Sequence, residues 1–403
     1  PKDIDEWTHY LHDAGGNAVA HDKQVGPPRH LQWLGSPRWS RHHDRMASMS
    51  ALVSAGGRVF YVMDEGSRVS IQLPARWTLV ARDAFNGVIL WKKPMKKWHS
   101  HLWPLKSGPT QLARRLVAMK GCVYITLGVD EPVSVLDAAT GELIHELPGS
   151  KGAEEIIVEG GQVFVLESPE EWELNSFLPF HNTGDQARIQ RDFAWNKKKR
   201  DVKAYDSVTG KRIWGHNNKV APLTMTADEH RVFFHDGEKV VALNRSSGDV
   251  AWSAGKSFLP AEVRFNFGPK LVVHDGVVLY AGGDRTMKAI DAKTGKQLWE
   301  APHARGGYQS PEDLLVMRGM VWSAPTTSGR DSGIFTGRDL RTSKVMVEIP
   351  PNVDTYWFHH RCYIAKATDN FLMPSRTGIE FIDPETKNWD INHWVRGGCL
   401  YGV

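Results

Sequence analysis

Five segments of this chain repeat one pattern: a turn-forming Asp or Asn, a Gly four residues on, and an aromatic ring four residues beyond that. They run Asp83 to Trp91, Asp137 to His145, Asp206 to Trp214, Asn244 to Trp252 and Asp291 to Trp299. In the clearest copy, Met287 to Ile290 and Lys296 to Glu300 read as two strands joined by a tight turn. There Asp291 can accept hydrogen bonds from the backbone amides of the turn, and Gly295 can take the positive φ that closing it demands. Leu298 and Trp299 are neighbours on opposite faces of one strand, which predicts a sheet covered on both sides.

Two weaker copies start at Asp339 and Asp383, with Ser343 and Lys387 where Gly is expected. The starts lie 54, 69, 38, 47, 48 and 44 residues apart. Periods of about 40 to 50 residues, each holding several short strands, are the signature of a β-propeller. The fold class is therefore all-β, in four-stranded antiparallel blades.

The blades are expected from about Met49 to Trp91, Leu116 to Glu146, Ile156 to Trp214, Leu223 to Trp252, Leu271 to Trp299, Leu314 to Ile349 and Tyr363 to Trp394. The third carries an insertion at about 169–199, rich in Pro, Asn, charge and aromatics. Arg29 to Gly35 resembles the last strand of a repeat without its predecessors, and Gly398 to Val403 resembles a first strand. Propellers commonly close by letting one terminus complete the blade begun at the other. This gives eight blades, the last incomplete in this chain, with seven as the alternative. Residues 1–28 are expected to be a lead-in, with Asp3 to His12 patterned for one or two helical turns, and 29–403 a single domain.

Composition excludes several classes. With 41% apolar and 24% charged residues, 16 Trp and 37 Gly, the chain has ample material for buried sheet faces and turns. No apolar run reaches the length of a membrane-spanning helix. A net charge of +4 is slight, and the clusters Lys92 to Lys97 and Lys197 to Arg200 lack the interleaved aromatics of a nucleic-acid surface. Cys122, Cys362 and Cys399 match no zinc spacing. The chain opens on Pro1 and stops at Val403 within an apolar stretch, so it is expected to be a piece of a longer polypeptide, monomeric, partnered by other domains of that chain or by another protein.

The pattern in Ala204 to Trp214 and Ala289 to Trp299 resembles the repeat of the quinoprotein-type propellers, the family of the pyrroloquinoline quinone (PQQ) alcohol dehydrogenases and the outer-membrane assembly lipoprotein BamB. The resemblance covers roughly Leu31 to Val403. It implies a packing role, the tryptophan docking motif, for Asp83, Gly87, Trp91, Asp137, Gly141, Asp206, Gly210, Trp214, Gly248, Trp252, Asp291, Gly295 and Trp299. The stretches Asp5 to Asp13 and Trp394 to Cys399 are also similar to large bacterial proteins carrying fused propellers. Quinoprotein relatives work outside the cytoplasm, which implies a periplasmic or secreted setting.

The resemblance also implies a question about chemistry. A quinoprotein dehydrogenase holds PQQ on the ring axis against a divalent cation such as calcium, over a pair of adjacent cysteines. This sequence has no Cys-Cys pair and no Cys-x-x-Cys-His haem site, so no catalytic residue carries over. The expected function is a non-catalytic binding or scaffold domain; the alternative is a PQQ- or metal-dependent oxidoreductase.

Two residue groups are candidates for such a site. His42, His43, His99, His101, His359, His360 and Cys362 fall in connections from an outer strand to the next inner one, hence on one face of the ring. Imidazoles with a thiol in that arrangement suit a transition metal; hydrogen-bonding loop histidines are the alternative. Arg361, Arg376 and Arg396 either line an axial anion pocket or bridge neighbouring blades.

Overall fold

The computed structural model describes residues 2–36, 49–70, 72–99, 110–168, 198–260, 268–304, 312–323, 325, 327–328, 331–352, 363–374, 378–395, 397 and 403. Among the described residues, seven sheets of four or five strands follow one another along the chain. Blade one pairs Met49–Ala55, Arg58–Asp64, Trp77–Asp83 and Ile89–Pro94 in sequence order, each antiparallel to the next. Blades two to seven repeat this at 116–146, 153–219, 226–256, 270–302, 315–349 and 366–390. The one α-helix among the described residues is the single turn Thr110–Ala113.

The repeated turn forms as its residues dictate. The Asp291 carbonyl accepts the Gly295 amide at 2.9 Å, while its carboxylate accepts the amide and hydroxyl of Thr294 at 2.8 and 2.7 Å. Those bonds, the Thr294 hydroxyl foremost, lower the Asp291 pKa. Gly295 has φ 74°. Ser343 and Lys387 occupy the same place in blades six and seven at φ 60°, where a side chain is costly but local hydrogen bonds hold the turn.

Each ring of the repeat lies in the seam to the following blade. The indole N–H of Trp91 reaches the Ala138 carbonyl at 3.1 Å, Trp214 reaches Arg245 at 2.7 Å, Trp252 reaches Ala292 at 3.0 Å and Trp299 reaches Leu340 at 2.9 Å. In every case the acceptor is the residue after the turn Asp or Asn. Where the turn residue is Gly, the ring sits in the place of a side chain: a Cβ on Gly141 would stand 2.8 Å from the Trp91 ring. Trp33 docks on blade one in the same way, its N–H 3.0 Å from the Ala84 carbonyl. The segment from Leu31 thus presents the ring of a preceding repeat, although it forms no strand. At the other end, Lys366 in the inner strand of blade seven hydrogen-bonds the Val403 carbonyl.

One expectation needs correction. Leu298 is 38% exposed, whereas Trp299 beside it is 8% exposed. Blades splay apart towards the rim, so the outermost strand is covered only on the face that carries the docked ring. The inner strands are buried on both faces, as in Leu271 to Val273 and Val277 to Ala281.

Residues 3 to 20 make no helix, contrary to the pattern read in Asp3 to His12; they run along the inner strands of all seven blades. The reason is that the innermost strand of a blade presents an unpaired edge, whose amides need partners. Trp7 exchanges two bonds with Ser54 of blade one, and Thr8, Ala14, Gly15 and Ala18 accept the amides of Ala118, Ala227, Val273 and Ala367 in blades two, four, five and seven. His9 serves blade three through its ring, and Asn17 serves blade six through its amide. Val19–Ala20 then pairs parallel to Lys366–Thr368 as an added strand of blade seven. Close approach is built in at Gly15, where a Cβ would fall 2.6 Å from the Val273 carbonyl oxygen.

Candidate functional site

The bonds of this N-terminal strap fall at the ends of the inner strands that carry the turns into second strands, so the strap crosses the central hole at that face. Against it lies a cluster of buried charge. Arg114 of blade two sets its Nε 3.0 Å from a Glu155 oxygen of blade three and donates Nη2 to the Met225 carbonyl, ahead of blade four, at 2.6 Å. The other Glu155 oxygen accepts the Leu223 amide at 2.7 Å. Leu223 reaches that geometry at φ 63°, a strained value for its residue type. Burial raises the Glu155 pKa, and Arg114 opposes this.

Lys270 opens the inner strand of blade five and is buried, its ammonium without a hydrogen-bond partner. Burial first, then Arg114, pushes its pKa far below the usual lysine value, with Asp13 of the strap pulling the other way. His9 is neutral for the same leading reason: burial takes its pKa down to about 4. Its Nε2 accepts the Val158 amide, which leaves Nδ1 to carry the proton, and Thr8 Oγ1 lies 2.7 Å from that atom. At His12 burial also acts downward, but bonds and charge from Asp13 and Asp5 outweigh it and raise the pKa. A cavity of about 10 Å³ lies between His9, Asp13 and Arg114, room for a single water.

Farther out, Glu154 and Arg200 pair at 2.7 Å within blade three, both buried. Arg115 donates to the Val129 carbonyl and lies over the Trp98 ring, and burial brings its pKa down to about 10. These charges tie elements together. What the cluster offers chemically is electrostatic bracing of the axis plus a buried amine at Lys270 whose charged form is disfavoured by burial.

Of the histidine candidates, His99 alone is described. It is 2% exposed and its ring lies 4.6 Å from that of Trp77, whose N–H bonds the His99 carbonyl at 3.2 Å. His42, His43, His101, His359, His360 and Cys362 lie outside the described residues, as do Arg361, Arg376 and Arg396 and most of the insertion at 169–199. Among the described residues, no three His, Cys, Asp or Glu side chains come close enough to hold a metal ion. No described helix is long and apolar enough to cross a membrane.

The axial cluster was not anticipated from sequence. Its one visible signal is Lys270 at the head of the apolar run Leu271 to Val273, where a charge has no business unless the position faces something other than the neighbouring blade.

The blade pattern and the docked rings define a PQQ-repeat β-propeller, and comparison with known proteins agrees. Residues 198–352 match the family model of the outer membrane protein assembly factor BamB. The corresponding factor of Burkholderia pseudomallei (strain K96243) is 28% identical over 164 residues, 37% of this chain and 42% of that protein, so the match spans less than half of that relative. Among solved structures, a europium-containing methanol dehydrogenase covers 96% of this chain and 85% of its own at TM-score 0.57 and 12% identity. The quinohemoprotein alcohol dehydrogenase of Comamonas testosteroni covers 94% of this chain and 71% of its own, at TM-score 0.57 and 11% identity. At such identities the structural likeness speaks for the fold alone.

Proposed function

We propose that this chain is a non-catalytic binding scaffold, a propeller domain of a larger bacterial protein that works outside the cytoplasm and engages a protein partner or neighbouring domains through its loops. The observation that carries this reading is the axial cluster. Arg114 is neutralised by Glu155, Glu155 is held by Leu223, and the strap leaves about 10 Å³ beside them. A tricyclic quinone does not fit the space left at this face of the ring. The sequence similarity to an outer membrane assembly factor supports a role in holding other proteins, and with it the extracytoplasmic setting.

The competing dehydrogenase reading is tested by adding PQQ and calcium to the purified chain. The scaffold reading expects no cofactor absorption retained after gel filtration and no dye reduction with simple alcohols. Stoichiometric retention with alcohol-dependent dye reduction would end it.

A further inference from the structure

The seam between blades two and three departs from the seams that hold Trp91, Trp214, Trp252 and Trp299. Its ring is His145, which lies over Gly210: a Cβ there would stand 2.7 Å from the imidazole Cδ2. The imidazole is smaller than an indole, and its Nε2 is buried without a hydrogen-bond partner. The seam's acceptor by position, the carbonyl of Ser207 after Asp206, therefore receives no ring N–H.

The companion residue also changes. Phe60, Phe164 and Phe233 each set a ring 5.9 Å from Trp91, Trp214 and Trp252 in their blades. In blade two that place belongs to Tyr124, opposite Val135 in the register, with Cys122 and Ser207 nearby. The smaller ring borders a cavity of about 290 Å³, lined by Cys122, Tyr124, Val135, His145, Val158 and Ser207. Ile144 and Val208 at its rim are 51% and 79% exposed, an apolar approach from solvent.

We propose that this seam is a binding site for a small planar aromatic molecule bearing a ring N–H, of the indole class. The shape argument is internal: at the equivalent place, the seams holding Trp91, Trp214, Trp252 and Trp299 close over an indole whose N–H meets a backbone carbonyl. The size argument is independent, since an apolar cavity of about 150 Å³ suffices to hold benzene. An acceptor that lacks the ring N–H found in the other seams selects for a donor on the ligand. The Ser207 carbonyl stands where the other seams accept an N–H, and His145 Nε2 lies beside the same space.

The probe is indole itself, applied to the full chain. Cys122 lines the cavity and is partly exposed, so its alkylation by iodoacetamide, followed by peptide mass spectrometry, reports occupancy locally. Indole is expected to slow alkylation of Cys122 several-fold and to raise the melting temperature, while cyclohexanol at equal concentration does neither. His145→Trp fills the seam from within, and is expected to abolish indole binding and slow Cys122 alkylation without ligand. Failure of indole to protect Cys122 in the unsubstituted chain would overturn the proposal even if His145→Trp did not fold. Equal protection by cyclohexanol, or undiminished indole binding to His145→Trp, would do so as well.

Discussion

Asn17 grips Val316 with both ends of its side-chain amide, donating to the carbonyl at 2.9 Å and accepting the amide at 2.8 Å. Both partners are buried, at 2% and 1% exposure, so neither bond can be replaced by bulk water. Asn17→Ala leaves one buried donor and one buried acceptor of Val316 unsatisfied. We expect a loss of about 2 to 4 kcal/mol, one such penalty for each group. Asn17→Asp should cost nearly as much, because a carboxylate cannot donate to the Val316 carbonyl. Chemical denaturation of the two variants checks both values.

The docked rings give a graded prediction. Trp299 is buried and hydrogen-bonded, and Trp299→Ala should destabilise by roughly 3 to 5 kcal/mol, the usual loss for a buried aromatic. His145 is smaller, lacks the seam hydrogen bond and borders an existing cavity, so His145→Ala should cost about 1 kcal/mol. Equal melting losses for the two would show that the ring type at this position does not matter.

Acid should loosen the ring centre. His9 and His235 both have pKa values lowered to about 4, burial being the leading cause. Between pH 6.5 and about 4 the unfolded chain therefore binds protons that the folded chain refuses, and stability falls as pH falls. The loss approaches 3 kcal/mol for each imidazole at the bottom of that range. His12, whose pKa is raised, gains protonation in the folded state first and offsets part of the effect. Melting at pH 7 and pH 4.5 should show a smaller acid loss for His9→Gln, which keeps an acceptor for Val158 but does not titrate.

What was legible in the sequence is what is local. Asp291, Thr294, Gly295 and Trp299 lie within nine residues, and their turn, register and seam follow from side-chain chemistry alone. The same holds for Trp33, recognisable as the ring of a repeat before any partner strand is known. The strap was not legible, because most of its bonds come from backbone groups of Trp7, Thr8, Ala14, Gly15 and Ala18, which any sequence possesses. The small residues at 14 to 18 mark close approach only once the neighbours are seen. The Arg114–Glu155 pair joins different blades and has no spacing to betray it. His145 was readable as a substitution for Trp, whereas the space beside it depends equally on Tyr124 and Cys122, which no repeat pattern links to it.

The strap also constrains the order in which the molecule comes together. Its residues precede, by most of the length of this stretch of chain, the acceptors and donors they meet on Leu315–Met317 and Lys366–Thr368. Early hairpins can form locally, but the drawstring tightens only when nearly every blade is present, a long-range closure that makes the last step slow. A chain truncated before Lys366 would keep its first blades and lose the cord that gathers them.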